Sequence, residues 1–345
     1  MDINLLRLVN QQLSGTIFQT PKEIVSWMGA IQSQDYNMAK MAIGVRLPGS
    51  SAATVEEALN SGEILRTHIL RPTWHFVAPE NIRWMLMLTS ERIKASSKSR
   101  DMELGITDKL YEAANKVIQR ALEEQGQMTR KELSVEVERA GMAADTPHMT
   151  HFMMRTEADC LVCSGAMKGK EHTYALFEER VPKVVLLHRS EALAKLAGIY
   201  FRSHGPATLH DFVWWSGLSV TEARDGLESI KGNLINEEAN GQTYWFFDTL
   251  DFKRSEKNRV HLLPAFDEYI VSYKERNTII TKEYSKVISS NGVFRPVVLL
   301  NGKVVGIWKK TGTKKQPFIF DFFKKIDLPD MQLVDRKSGE LTAFL

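Results

Sequence analysis

Three times along this chain a helix-like segment is followed by a threonine with an acid at the third position after it and then by an apolar residue. The copies are Thr20-Pro21-Lys22-Glu23-Ile24, Thr129-Arg130-Lys131-Glu132-Leu133 and Thr208-Leu209-His210-Asp211-Phe212. Threonine with an acid at this spacing is a capping box: the hydroxyl accepts a free N–H of the first helical turn, and the acid reaches back to the N–H of the threonine. Asp211, one methylene shorter than glutamate, is the weaker version. Gly126 and Gly205 stand three residues ahead of the second and third threonines, which suits the end of a preceding helix. Those preceding helices read as amphipathic, with Leu110, Ala114, Val117, Ile118, Ala121 and Leu122 on one face, and Leu193, Leu196, Ala197, Tyr200 and Phe201 on another. After each capping box come further helical stretches and two short strand-like segments. These are Ile64-Leu65 and 74–77 in the first copy, 161–163 and 173–177 in the second, and Leu234-Ile235 and 243–247 in the third. The last segment starts Thr-Tyr in both of the later copies.

Helix, turn, helix, helix, hairpin is the order of a winged helix-turn-helix. The chain is therefore expected to be an α+β protein: three tandem winged helix-turn-helix units over 1–100, 101–185 and 186–255, with a small β-rich C-terminal extension over 256–345. In that extension, 260–269 reads as a strand and turn. Val297 to Trp308 reads as a hairpin around Asn301-Gly302, a dipeptide that supplies two positive φ values between apolar β-branched runs. A last helix is expected near 317–325.

The charge balance looks indifferent at first. Over 345 residues, 45 Lys and Arg meet 42 Asp and Glu, for a net +3. Yet residues 303–325 alone hold seven Lys and one Asp, and Arg92, Lys94, Lys98 and Arg100 form a second basic run. Taken alone, each is an ordinary solvated face. Beside winged-helix units, each is a candidate nucleic-acid surface. The N-terminus lacks a basic stretch before an apolar run, and no segment of about 18 apolar residues occurs, so neither a secretory leader nor a membrane span is expected. Two cysteines suit a reducing compartment, and the expected location is the cytoplasm, in association with the nucleoid.

The chain lacks a phosphate-cradling GxxxxGK[ST], a GxGxxG after a strand, an HExxH and a GxSxG elbow. His148 and His151 with Cys160 and Cys163 resemble a zinc set in composition. However, Cys160 and Cys163 lead into an expected wing strand, where residues three apart point to opposite sides, and no metal or other cofactor is expected.

The most specific segment is Ile31-Gln32-Ser33-Gln34-Asp35-Tyr36, which follows the apolar helix 24–30. On its residues alone it also reads as a solvated helix end. Gln-x-Gln at the end of the second helix, followed by Asp and a further helix over 37–47, resembles the AlkZ-like DNA glycosylase family. Three other stretches resemble that family in the same order. They are Leu70-Arg71-Pro72-Thr73-Trp74-His75-Phe76-Val77, where the family more often has Gly in place of Pro72; Leu262-Leu263-Pro264-Ala265-Phe266-Asp267-Glu268-Tyr269 with Arg276 behind it; and Asn291-Gly292-Val293-Phe294-Arg295-Pro296 before the hairpin. The resemblance covers roughly residues 5–325.

What the resemblance implies is three winged-helix units around duplex DNA and hydrolysis of the N-glycosidic bond of alkylated purines, in some members within interstrand crosslinks. Gln32 and Gln34 match the family's catalytic motif; another branch has Asp at the second position. A glutamine amide is no base at neutral pH, but it can hold a water. An N3- or N7-alkylated purine is already cationic and leaves without an acid. Orienting water and stabilising positive charge on the sugar are then sufficient. Asp35 is the third candidate, either as a base or negative potential or, slightly ahead, as a cap of the next helix. The DNA-contact candidates are Arg71, Trp74, His75 and Arg276, with Lys309, Lys310, Lys314 and Lys315 as the phosphate surface. Core packing is the stronger reading of Trp74 and of Trp214-Trp215. No lysine is marked as a Schiff-base nucleophile, so a monofunctional enzyme is expected, acting on lesion-bearing double-stranded DNA as a monomer without a protein partner. Base flipping and an open site facing the groove both fit. The alternative from another class is a non-enzymatic winged-helix DNA-binding protein such as a transcriptional regulator.

Overall fold

A computed structural model describes residues 1–248, 259–313 and 316–345. The chain divides into two compact units, one of Met1–Glu56 with Leu193–Leu345 and one of Glu57–Ala192. The first begins with α1 (Ile3–Asn10), α2 (Pro21–Met28), β1 (Ile31–Gln32) and α3 (Tyr36–Gly44), and α4 (Ala52–Ser61) crosses into the second. The second holds β2 (Leu65–His68), β3 (Trp74–Val77), α5 (Pro79–Glu103), α6 (Asp108–Gln125), β4 (Met128–Thr129), α7 (Arg130–Arg139), α8 (Thr146–Ala158), β5 (Val162–Ser164), β6 (Thr173–Leu176) and α9 (Phe177–Arg180). α10 (Arg189–Ser203) leads back to the first unit, which continues with α11 (Leu209–Ser216), α12 (Val220–Ile230), β7 (Ile235–Ala239), β8 (Gln242–Phe246) and β9 (Val260–Leu263). It closes with α13 (Glu268–Val271), α14 (Ser285–Ile288), β10 (Ser289–Ser290), β11 (Val293–Phe294), β12 (Val297–Leu300), β13 (Lys303–Lys310), β14 (Phe318–Phe322) and α15 (Leu328–Phe344).

All three capping boxes form, at the starts of α2, α7 and α11. The short Asp211 suffices: its Oδ2 accepts the Thr208 N–H at 3.0 Å while its own N–H donates to Thr208 Oγ1 at 3.1 Å. A fourth box, Ser219 with Glu222, starts α12. In the second unit α6 buries Tyr111, Ala114, Ile118, Ala121 and Leu122, the spacing that lays one stripe along a helix. That stripe packs with Leu133 and Val137 of α7 and with Met149, Phe152 and Met153 of α8. β4, β6 and β5 form a three-stranded antiparallel sheet in that order. From α6 to β6 the order is thus helix, short strand, helix, helix, hairpin.

In the first unit the four-stranded antiparallel sheet has the order β14-β13-β12-β9. Its β12–β13 connection is Asn301-Gly302, with φ of +50° and +75°, the two positive values that this hairpin turn needs. The helix expected near 317–325 is a correction. Phe318 to Phe322 is strand β14, paired to β13 with Trp308 opposite Phe320, and the last helix is α15, 328–344. Aromatic residues at alternate positions (Phe318, Phe320, Phe322) carry a period of two, which a strand next to an apolar β13 satisfies and a helix does not. No helix among the described residues is long and apolar enough to cross a membrane.

Candidate active site

The segment carrying the two glutamines is built by its flanks. Thr20 and Pro21 start α2, and Gly29 ends it with φ +77°. A Cβ on Gly29 would stand 2.5 Å from Ile199 Cγ2, so close approach and backbone conformation both require glycine there. The chain then leaves the helix and passes through β1, so Gln32 lies on a strand rather than at a helix end. Ile31 is fully buried, Gln32 is 8% exposed, Ser33 is buried, and Gln34 and Asp35 are exposed. Asp35 caps α3, its Oδ1 accepting the N–H groups of Asn37 at 3.1 Å and Met38 at 3.0 Å.

Two adjacent acids from a distant part of the sequence fix this segment. The Gln32 N–H donates to Glu268 Oε1 at 2.6 Å. Glu268 Oε2 accepts from the Trp215 indole at 3.2 Å and from the Ser272 hydroxyl, and His204 Nε2 lies 3.7 Å away. Burial pushes the His204 imidazole below its ordinary range. At the far end of α3, Arg46 is fully buried and forms a two-pronged ion pair with Asp267, Nη1–Oδ2 at 2.7 Å and Nη2–Oδ1 at 2.8 Å. Its remaining donors reach the backbone carbonyl of Gln11 at 3.0 Å, the Gln11 side chain at 2.9 Å and the carbonyl of Ala42 at 2.8 Å. A buried guanidinium persists only when so completely satisfied. Asp267 and Glu268 therefore hold the end of α3 and the strand before it.

The remaining sequence candidates fall in different settings. Arg276 donates to the Ile270 carbonyl at 2.7 Å and lies 5.5 Å from the Trp214 ring and 5.2 Å from the Phe294 ring, so it braces the loop after α13. Trp214 donates to the Val271 carbonyl, and Trp215 is fully buried. Lys309 and Lys310 are exposed at the end of β13; Lys314 and Lys315 lie outside the described residues. In the other unit, Arg71 is half-buried in the β2–β3 turn, and its carbonyl accepts the Thr73 N–H at 2.6 Å. His75 has no exposed surface, and its Nδ1 is 2.9 Å from the Thr73 carbonyl, so it is packed inside the unit rather than presented to a ligand. Trp74 is half-buried against the core around α6 and α8. His148 pairs with Asp145 and His151 with Asp101. Burial pushes the thiols of Cys160 and Cys163 up to about 11 and about 12. Among the described residues no group of three or more His, Cys, Asp and Glu is gathered as a metal set.

The sequence marks Asp267 and Glu268 only as part of the Leu262–Tyr269 stretch that resembles the family, without a role for either, and Arg46 does not stand out there at all. The partners of the two acids stand 221 and 236 positions away.

A short strand that ends at Gln32, held through its backbone by a buried acid and followed by Gln34 in the bend before α3, sits in a chain that the family model for AlkZ-like DNA glycosylases matches over residues 25–318. The chain belongs to the AlkZ-like DNA glycosylase family, and its enzyme class is DNA glycosylase. It is 20% identical over 327 residues to an interstrand DNA cross-link repair glycosylase of Streptomyces sahachiroi, covering 88% of this chain and 85% of that one. The solved structure of the Streptomyces sahachiroi DNA glycosylase AlkZ superposes with a TM-score of 0.80 at 17% identity, covering 99% of this chain and 95% of that one. The mixed helix and small-sheet fold described above is therefore the fold of that structure.

Proposed function

We propose that the chain is a monofunctional glycosylase that hydrolyses the N-glycosidic bond of cationic alkylated purines in duplex DNA, with a water positioned by Gln32 and Gln34. The observation that carries this reading is the pairing of a near-buried Gln32, fixed through its backbone by Glu268, with an exposed Gln34 two residues on. Rigid on one side and open on the other, such a segment suits a water held against a substrate. The water oxygen bonds to C1′ as the C1′–N bond breaks. The bond pair neutralises the cationic base, which leaves, and the proton lost from water passes to solvent. Neither glutamine has to ionise, which agrees with amide chemistry. Asp35 serves as the cap that sets the start of α3.

The name of the Streptomyces sahachiroi relative favours interstrand crosslinks among the substrates. Three winged-helix units remain our reading of the architecture, supported by the helix–strand–helix–helix–hairpin order from α6 to β6. In this reading Arg71, Lys309 and Lys310, with Lys314 and Lys315, meet the DNA backbone, while His75 and Arg276 support the segments that carry such contacts. The enzyme acts as a monomer. The test is incubation with duplex carrying N7-methylguanine, in parallel with a nitrogen-mustard crosslink. Free base should appear with an intact abasic strand that breaks only on alkali treatment. Strand scission without alkali would refute the monofunctional assignment, and no base release from either substrate would refute the reading.

A further inference from the structure

The second unit carries a basic cleft that has no place in the chemistry above. It encloses about 590 Å³ between the first turns of α7 and α8, the β5–β6 hairpin and the β2–β3 hairpin. Its lining brings together Arg66, Arg130, Lys131 and Lys170, with Glu171 as the single carboxylate. Lys131 and Lys170 are exposed, while Arg66 and Arg130 are half-buried. The two arginines are held in place. Arg130 donates to the Thr146 carbonyl at 2.7 Å and to Thr150 Oγ1 at 2.6 Å, which joins the start of α7 to α8. The Arg66 guanidinium lies 4.3 Å from the centre of the Trp74 ring.

Trp74 is itself engaged. Its ring centre is 3.9 Å from that of His68, its cross-strand partner. His68 is anchored on the buried Glu157 through both its N–H and its Nδ1, each at 2.8 Å. A ring already in contact with an imidazole and a guanidinium is a platform that holds the arginine. The four cations make charge the main feature that the lining offers a ligand. The N-termini of two helices of 10 and 13 residues border the same cleft, but they are already capped, by Thr129 with Glu132 and by Asp145, so the four side-chain cations carry the site.

We propose that this cleft is a phosphate clamp that takes the sugar–phosphate backbone of duplex DNA, independently of sequence and of the lesion. The proposal rests on the reading of the chain as a DNA-acting enzyme. It adds an anchoring site in the second unit, built from Arg66, Arg130, Lys131 and Lys170. Removing one cation from a phosphate lowers the slope of log K against log salt by about 0.9.

The test uses the full chain and a fluorescein-labelled, undamaged duplex of mixed sequence, with binding followed by anisotropy between about 50 and 200 mM salt. Lys131→Glu/Lys170→Glu should weaken binding roughly tenfold or more and lower the salt slope by about 2. Lys131→Gln/Lys170→Gln should fall between this variant and wild type. Lys116→Glu reverses an exposed charge of the same unit outside the cleft and should leave affinity within about twofold and base release unchanged. Thermal melts check that all variants fold. The clamp alone is overturned by a double variant that binds like wild type, or by a Lys116→Glu variant weakened as much as the double one. Competition at equal millimolar concentration by inorganic phosphate as effective as that by unlabelled duplex would also overturn it, in favour of a small-anion site. If wild type neither binds duplex nor releases base, the enzymatic reading falls together with the clamp, which separates the two failures.

Discussion

Glu268→Gln is the sharpest perturbation of the candidate site, because it keeps the shape of the side chain and removes one acceptor oxygen. The carboxylate is 1% exposed and serves two sides at once. Oε1 takes the Gln32 N–H at 2.6 Å, and Oε2 takes the Trp215 indole at 3.2 Å and the Ser272 hydroxyl. An amide has one oxygen. If it turns to Gln32, its NH₂ faces Trp215 and Ser272. The Ser272 hydroxyl can rotate to accept, but the indole N–H cannot. If the amide turns the other way, NH₂ meets the N–H of Gln32. Either way one buried donor is stranded, at a cost of about 1–3 kcal/mol. A displacement of Gln32 by the order of an ångström is enough to slow a positioned reaction about a hundredfold. Urea unfolding of the variant should therefore show a loss of about 1–3 kcal/mol. Single-turnover base release at saturating DNA should fall roughly tenfold to a hundredfold, with duplex affinity within about twofold of wild type. Unchanged stability and unchanged single-turnover rate together would refute the claim that Glu268 fixes the glutamine strand. A stability loss with an unchanged rate would reduce Glu268 to a packing role.

Asp267→Ala strands the fully buried Arg46 guanidinium, so urea unfolding should show a loss of about 3–5 kcal/mol; a loss under about 1 kcal/mol would contradict the geometry. Burial lowers the His204 pKa in the folded chain below its ordinary value near 6.5. The unfolded chain then binds the proton more readily, and stability is lost as pH falls below about 6.5. The stability difference between His204→Gln and wild type should accordingly shift in favour of the variant from about pH 7.5 to about pH 5.5, as read by denaturation at both pH values. With the thiols of Cys160 and Cys163 pushed up to about 11 and about 12, iodoacetamide at about pH 7.5 should label the folded chain far more slowly than the urea-unfolded chain. Gly226→Ala places a Cβ 2.8 Å from the Leu193 carbonyl oxygen, where backbone must move, so the melting temperature should drop by several degrees even though alanine favours helix.

Local devices are legible in the chain. The capping boxes at Thr20, Thr129 and Thr208 and the Asn301-Gly302 turn are each decided within four residues, and each forms as its residues dictate. The stripe of α6 is equally legible, because a period of 3.6 is printed in the apolar positions. The helix expected near 317–325 overlooks the period of two in Phe318, Phe320 and Phe322, and the partner that makes the segment a strand is β13, several residues upstream. Gln32 and Gln34 stand out through order among neighbouring motifs, but their support does not. The acceptor of the Gln32 N–H is Glu268 and the partner of Arg46 is Asp267, pairings that only the folded chain creates. The basic cleft is invisible in the sequence for the same reason: Arg66, Arg130 and Lys170 belong to no common run, and the conspicuous basic run, 303–325, lies elsewhere.

The central claim is that two glutamines, and no ionisable group, position the attacking water. Single-turnover release of N7-methylguanine from duplex DNA by wild type, Gln32→Ala, Gln34→Ala and the double variant tests it most directly, with DNA binding measured alongside. Each single variant should lose about a hundredfold or more in rate while retaining duplex affinity, and the double variant should fall little below the worse single one, because the two amides act on one water. Release by the double variant at the wild-type rate would contradict the account.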